Sequence, residues 1–205
     1  MLDRPTLTGS EPDAGLNRLQ SLVQSFNDYL AMTKPPIVVL LLFTAIGGMF
    51  LAAQAVPPWH LALLVCLGGA LGAGGANALN HYLDQDIDEK MSRTARRPLP
   101  GNRVAPRNAL IFGIVLNVAA FLILGAWVNL LAAFLTLAAT LFYVFVYTMW
   151  LKRTTPQNIV IGGAAGAIPP MVGWVAITGS LDLPALYMFS FIFFWTPPHF
   201  WALAL

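Results

Sequence analysis

Hydrophobic and polar positions along this chain fall into long blocks, not into the short periods of a soluble amphipathic fold. No Asp, Glu, Lys or Arg occurs between Pro35 and Leu83 or between Asn108 and Leu151, and only Asp182 lies between Thr154 and Leu205. A bilayer core of about 30 Å takes on the order of 20 helical residues, so each of the three apolar blocks is long enough for two crossings. The pattern predicts six helices, near 36–56, 60–83, 108–128, 130–151, 157–178 and 184–205, divided within the blocks by "AVPPWH", by Asn129 and by "TGSLDLP". The expected fold class is an all-α, polytopic transmembrane bundle over 31–205, preceded by an N-terminal cytoplasmic arm over 1–30.

Composition strengthens this reading. Of the 205 residues 58% are hydrophobic and 10% charged, and the mean hydropathy is +0.70, whereas a soluble domain carries roughly 25% charge. All eleven basic residues fall in the N-terminal arm through Lys34, in the segment 84–107, or at Lys152 and Arg153. Short loops rich in Lys and Arg stay cytoplasmic, so paired crossings place the N terminus inside and agree with the charge bias. Topology accounts for the net charge of +2, so nucleic acid is not an expected partner. Asp3, Glu11, Asp13 and Asp28 interrupt the first 30 residues, which argues against both a cleaved signal peptide and an acid-poor transit peptide. Cys66 is alone within a predicted helix and reads as a packing residue. The Gly-rich "GGALGAGGAN" and "GGAAG" permit close helix contact.

Against this background the ions of "NHYLDQDIDEKMSRTARRPLP", residues 80–100, stand out. If the second apolar helix continues through them, Asn80, Asp84 and Asp88 lie at i, i+4 and i+8 on one face, and Asp86 points away. Aligned carboxylates repel one another unless a cation lies between them. Mg²⁺ held by one or two carboxylates commonly completes its shell with water and phosphate oxygens, so the ladder predicts a diphosphate site. Arg93, Arg96 and Arg97 follow closely, and guanidinium groups bind phosphate bidentately. Lys152 and Arg153 return to the same side of the membrane. Asp84, Asp86 and Asp88 also begin like a calcium loop, but Glu89 and Ala95 stand where Gly and Glu are required, which excludes an EF-hand. Of the histidines, His60 belongs to the opposite side. His81 adjoins the ladder, and His199 sits in "WTPPHFW", where Pro197 and Pro198 are expected to break the helix; these two are the candidate heme ligands.

The run N-x-x-x-D-x-x-I-D-x-x-M-x-R-T-x-x-R from Asn80 to Arg97 resembles the first Asp-rich motif of the intramembrane prenyltransferases of the UbiA superfamily. Together with "LKRTTPQNIVIGGAAGAIPPMVGW" and "WTPPHFWALAL", it is similar to the heme-farnesylating branch, the protoheme IX farnesyltransferases or heme O synthases. The resemblance implies transfer of the farnesyl group of farnesyl diphosphate to a vinyl group of heme B, with hydroxyl addition, in a bacterial inner membrane. It further implies that Asn80, Asp84 and Asp88 hold Mg²⁺ on the diphosphate as the catalytic and metal-binding set. Arg93, Arg97, Lys152, Arg153 and Tyr147 are then expected near its oxygens. Membrane lipid surrounds such an enzyme, and heme A synthase or terminal-oxidase assembly proteins are the partners implied. The family's bundle has about nine helices and a second Asp-rich motif beyond "HFWALAL", so the chain is expected to be an N-terminal fragment. Other readings of the residues are a UbiA-type enzyme with another aromatic or chlorin acceptor, and a membrane cation-binding or transport protein.

Overall fold

A computed structural model describes residues 14–203, with side chains over 18–202. Its elements are helical. They run α1 Ala14–Thr33, α2 Pro35–Ala53, α3 Trp59–Leu83, the single turn α4 Gln85–Asp88, α5 Pro106–Trp127, α6 Leu130–Leu141, a π-helical segment Phe142–Leu151, the turn α7 Lys152–Thr154, α8 Asn158–Ala167, α9 Pro169–Thr178 and α10 Leu183–Leu203. Among the described residues, five stretches are long and apolar enough to cross a membrane: Pro35–Ala53, Trp59–Leu83, Pro106–Trp127, Leu130–Thr154 and Asn158–Thr178. The sixth expected crossing corresponds to α10, 21 residues long, in which Pro197, Pro198 and His199 dilute the apolar run.

Helix boundaries follow local chemistry. Pro35 and Pro106 occupy first-turn positions, where the missing N–H is not needed. Asn129 caps α6, its side-chain oxygen accepting from the Ala132 amide at 2.8 Å. The expected fifth helix is divided at Ile168, because Pro169 cannot donate to the ladder and its ring crowds the carbonyl four residues back. The sixth differs in the other direction. Pro197 and Pro198 were expected to break it, yet α10 runs through both. Proline φ is compatible with a helix, and membrane helices tolerate the lost donors; immediately before them the Thr196 hydroxyl donates to the Ile192 carbonyl, one turn back, at 2.7 Å.

Packing pairs α3 with α5, α2 with α9, and α8 with α10. The α2–α9 crossing is a backbone contact: a Cβ on Gly48 would overlap the Pro170 carbonyl, and one on Gly173 the Ala45 carbonyl. Glycine is therefore required there, as small residues are wherever membrane helices approach closely. Lys34, Lys152 and Arg153 all reach the end of α3 or the turn after it, so the start of α2, the end of α3 and α7 share one end of the bundle, the basic end. Trp59 and Trp127, both exposed, mark helix ends as interfacial aromatics do.

Two outcomes are expected. Gly48→Val should lower the thermal unfolding midpoint in detergent, at a cost of about 1–3 kcal/mol or more for overpacking, whereas Gly47→Val, with open space around it, should leave it unchanged. Reporter fusions after residues 58, 129 and 180 should read as periplasmic and those near 100 and 154 as cytoplasmic; a cytoplasmic signal at 129 would contradict the paired crossings.

Candidate functional site

One face of α3 carries the site. Gly74, Asn77, His81, Asp84 and Asp88 recur at three- and four-residue spacing, and Asn80 flanks them. The α3 ladder formally ends at Leu83, but the Asp84 amide donates to the Asn80 carbonyl at 2.9 Å and the Asp88 amide to the Asp84 carbonyl at 2.8 Å. The i, i+4, i+8 geometry expected from the sequence thus survives the break. Asn80, Asp84 and Asp88 are buried, with Asp84 at 0% exposure, whereas the Asp86 side chain is 55% exposed.

Each of these three buried polar groups holds a cation. Lys34 Nζ donates to Asn80 Oδ1 at 2.8 Å, Lys152 Nζ to Asp84 Oδ2 at 2.6 Å, and Arg97 donates to both oxygens of Asp88 at 2.9 and 2.7 Å. The Asn80 amide also donates to Asp84 Oδ2 at 2.7 Å and to Thr148 Oγ1 at 3.1 Å. This network fixes the amide orientation, since the flipped form would set its oxygen against a carboxylate and its NH₂ against an ammonium. Asp84 Oδ1 is buried and, among the described residues, has no hydrogen-bond partner. An anionic oxygen in that condition is costly unless a ligand meets it.

Two contributors were not anticipated from the sequence. Lys34 adopts left-handed backbone angles, φ 54 and ψ 64, a conformation that costs a non-glycine residue about 1–2 kcal/mol. The turn is held by Asn77, whose side chain donates to the Thr33 carbonyl at 2.9 Å, and by the Nζ contact to Asn80. Burial, and then the neighbouring Arg97 charge, lower the Lys34 pKa to about 8. The signal in the sequence was "TKPP", an isolated lysine directly before an apolar block. Thr148, fully buried, is the second. Its hydroxyl donates to the Tyr143 carbonyl five residues earlier at 2.9 Å, inside the π-helical turn, and accepts from Asn80. π-helical turns recur at functional sites, and this one presents Thr148 and Lys152 to α3 together.

Other expected residues are placed as follows. Tyr147 is half-buried, stacked on Tyr143 with ring centres 5.3 Å apart, and its ring fills the space beside Gly162. Arg93 is exposed on the segment after α4. Arg153 faces outward: it grips both oxygens of Asp86 and donates to the Leu83 carbonyl at 2.8 Å. Those bonds hold the Asp86 carboxyl below its ordinary pKa. His81 is buried with Nδ1 unpartnered. His199 lies on α10, stacked on Trp195 at 4.2 Å, and among the described residues no hydrogen bond joins it to the carboxylates. An apolar groove of about 540 Å³ lies on the other side of α3, lined by Leu79, Tyr82 and Leu83.

The donor set fits Mg²⁺. Among the described residues no cluster of three or more His, Cys, Asp or Glu side chains is placed to hold a metal by itself. Two carboxylates and an amide oxygen, with an unsatisfied oxygen on Asp84, suit an ion that takes its other ligands from water and phosphate.

The sequence model of the UbiA prenyltransferase family matches residues 41–205. The protoheme IX farnesyltransferase of Symbiobacterium thermophilum is 57% identical over 189 residues, 92% of this chain and 63% of that one. Protoheme IX farnesyltransferase 1 of Saccharopolyspora erythraea is 58% identical over 178 residues, 86% of this chain and 57% of the relative. The chain thus spans less than two thirds of these relatives. Among solved structures, a digeranylgeranylglyceryl phosphate synthase superposes with a TM-score of 0.73 at 20% identity, over 83% of this chain and 59% of that one. A UbiA homolog from Archaeoglobus fulgidus bound to DMAPP and Mg²⁺ superposes with a TM-score of 0.60 at 20% identity, over 82% of this chain and 60% of the homolog. At that identity the structural likeness concerns the fold.

The ion pairs differ in depth, and stability should reflect it. Lys152→Met strands the fully buried Asp84, a loss of up to about 3–5 kcal/mol for a broken buried pair. Arg153→Met unpairs the exposed Asp86 and should cost about 0–1 kcal/mol. Thermal unfolding in detergent at neutral pH measures both.

Proposed function

The chain belongs to the UbiA prenyltransferase family, and on that premise we propose that its protein transfers the farnesyl group of farnesyl diphosphate to a vinyl group of protoheme IX, with Mg²⁺, to give heme O. The reading places it in a bacterial inner membrane with the basic end in the cytoplasm. Relatives at 57% and 58% identity bear the name protoheme IX farnesyltransferase, which supports the acceptor. The single observation that carries the donor site is the buried Asp84 carboxylate, one oxygen paired and the other unpartnered.

In this reading Asn80, Asp84 and Asp88 hold the metal. A Mg²⁺ held by these residues would supply positive charge to the diphosphate oxygens and so favour cleavage of the allylic C–O bond. Lys34, Lys152 and Arg97, which donate to Asn80, Asp84 and Asp88 in the structure, would turn to phosphate oxygens, Arg97 with its planar pair of donors. Preorganised positive charge in a water-poor site stabilises a departing diphosphate with little reorganisation. Tyr143 and Tyr147 wall the site on the π-helical side and help to keep water from the developing allylic cation. The bond between farnesyl carbon and diphosphate oxygen breaks, and a bond to the terminal vinyl carbon of heme B forms. Water adds as hydroxyl to the other vinyl carbon and releases a proton. Arg93, from its exposed position, contributes to the field at the mouth; Arg153 braces the turn after α3 through Asp86 and Leu83.

Expression of the intact gene in a strain lacking heme O synthase, with chromatography of extracted hemes, tests the acceptor. Heme O is expected, and prenylation of a different acceptor would overturn the assignment. In the same enzyme Asp84→Asn and Asp88→Asn should each lower turnover by about 10²-fold or more, with Asp86→Asn close to the parent. Equal losses at all three would contradict the facial assignment.

A further inference from the structure

The N-terminal helix α1, Ala14–Thr33, is not used by the site chemistry, and its surface is unusual. Leu19, Leu22, Val23, Phe26 and Leu30 are exposed, Leu22 at 68% and Phe26 at 67%. At about 100° per residue these five side chains fall within one arc roughly 100° wide, the apolar stripe of an amphipathic helix. Gln20, Gln24 and Asn27 occupy a separate polar sector. The bundle is met by a third sector at the C-terminal end. There Asp28 accepts from Arg103 Nε at 2.9 Å, Tyr29 packs edge-on against Phe112 with centroids 5.0 Å apart, and Met32 is buried with Ala78, Leu99, Val104 and Ala109.

Those contacts set the level of the helix's C-terminal end. Ala109 and Phe112 belong to the first two turns of α5, which starts at Pro106, and Ala78 lies five residues before Leu83, the last residue of α3. At about 1.5 Å per residue, this end of α1 docks within about 10 Å of where the spanning helices begin and end, the level of lipid headgroups and upper acyl chains. Its chain continues at Pro35 into a membrane-spanning helix after one left-handed residue, Lys34. The only charges between residues 18 and 33 are Arg18 and Asp28, and Asp28 is already buried and paired. An uncharged apolar stripe on a helix anchored at that level, and continuous with a spanning helix, has the bilayer itself as its complement.

We propose that α1 is an interfacial helix, lying in the leaflet at the basic end with Leu19, Leu22 and Phe26 inserted into the boundary between phospholipid headgroups and acyl chains. The leaflet, with Asp28–Arg103 and Met32, clamps α1 from two sides and so fixes the turn at Lys34 that delivers its ammonium to Asn80. A second protein or a further segment of the enzyme would be the alternative cover for the stripe.

Site-directed spin labelling of the full chain in phosphatidylcholine–phosphatidylglycerol vesicles distinguishes them. Cys66 is the one cysteine of the sequence, so Leu22→Cys, Phe26→Cys, Gln20→Cys and Gln24→Cys are each made in a Cys66→Ser background. All four positions are exposed in the structure, so labelling leaves the packing intact. At 22 and 26, collisions with oxygen should exceed those with a water-soluble nickel chelate, at a depth of about 5–10 Å below the phosphates; at 20 and 24 the order should reverse. Preference for the nickel chelate at all four positions would place α1 in water and overturn the proposal. Labels at 22 and 26 shielded from both reagents would mean that protein covers the stripe, and would overturn it equally.

Discussion

The carboxylate of Asp84 has no exposed surface at the end of a membrane-spanning helix, and its charge constrains much of what surrounds it. Moving an ion out of water costs several kcal/mol after relaxation, so the anion persists only where partners converge. Lys152 arrives from α7, the Asn80 amide from the preceding turn of α3, and Thr148 holds Asn80 from the π-helical segment. The α1–α2 junction is drawn to the same face through Asn77 and Lys34. Elements far apart in sequence thus meet along α3 because one face of it is polar and dehydrated.

This arrangement joins stability to chemistry. On the proposed reading, the cations that now hold Asn80, Asp84 and Asp88 are of the kind a diphosphate needs, and exchanging these oxygens for phosphate oxygens would keep each cation partnered. One oxygen of Asp84 is left without a hydrogen bond even so. Unsatisfied buried groups in native folds call for an explanation, and a metal-bound diphosphate offers one. The left-handed turn at Lys34 is held by contacts that also shape the site.

Much of this was legible in the sequence where the relevant spacing is local. Asn80, Asp84 and Asp88 are one helical turn apart, so their common face and the outward direction of Asp86 follow from periodicity alone. Lys34 and Thr148 meet Asn80 across separations of 46 and 68 residues, and no pattern within either segment marks that meeting. The π-helical stretch was hidden because its residues are as apolar as those of an ordinary membrane helix. Arg153 was expected near the diphosphate from its sign; its bidentate contact with Asp86 and its bond to the Leu83 carbonyl span 67 and 70 residues, which no local pattern announces. The helical course through Pro197 and Pro198 shows the limit of reading proline as a break. α1 went unread because its stripe is short and broken by polar residues.

The most direct test of the donor site is the affinity for farnesyl diphosphate measured by calorimetry, in detergent, across a Mg²⁺ titration, for the parent chain and for Asp84→Asn. The account predicts that affinity rises with Mg²⁺ in the parent and that the substitution removes this dependence. Affinity indifferent to Mg²⁺, or a Mg²⁺ dependence unchanged without the Asp84 carboxylate, would contradict it.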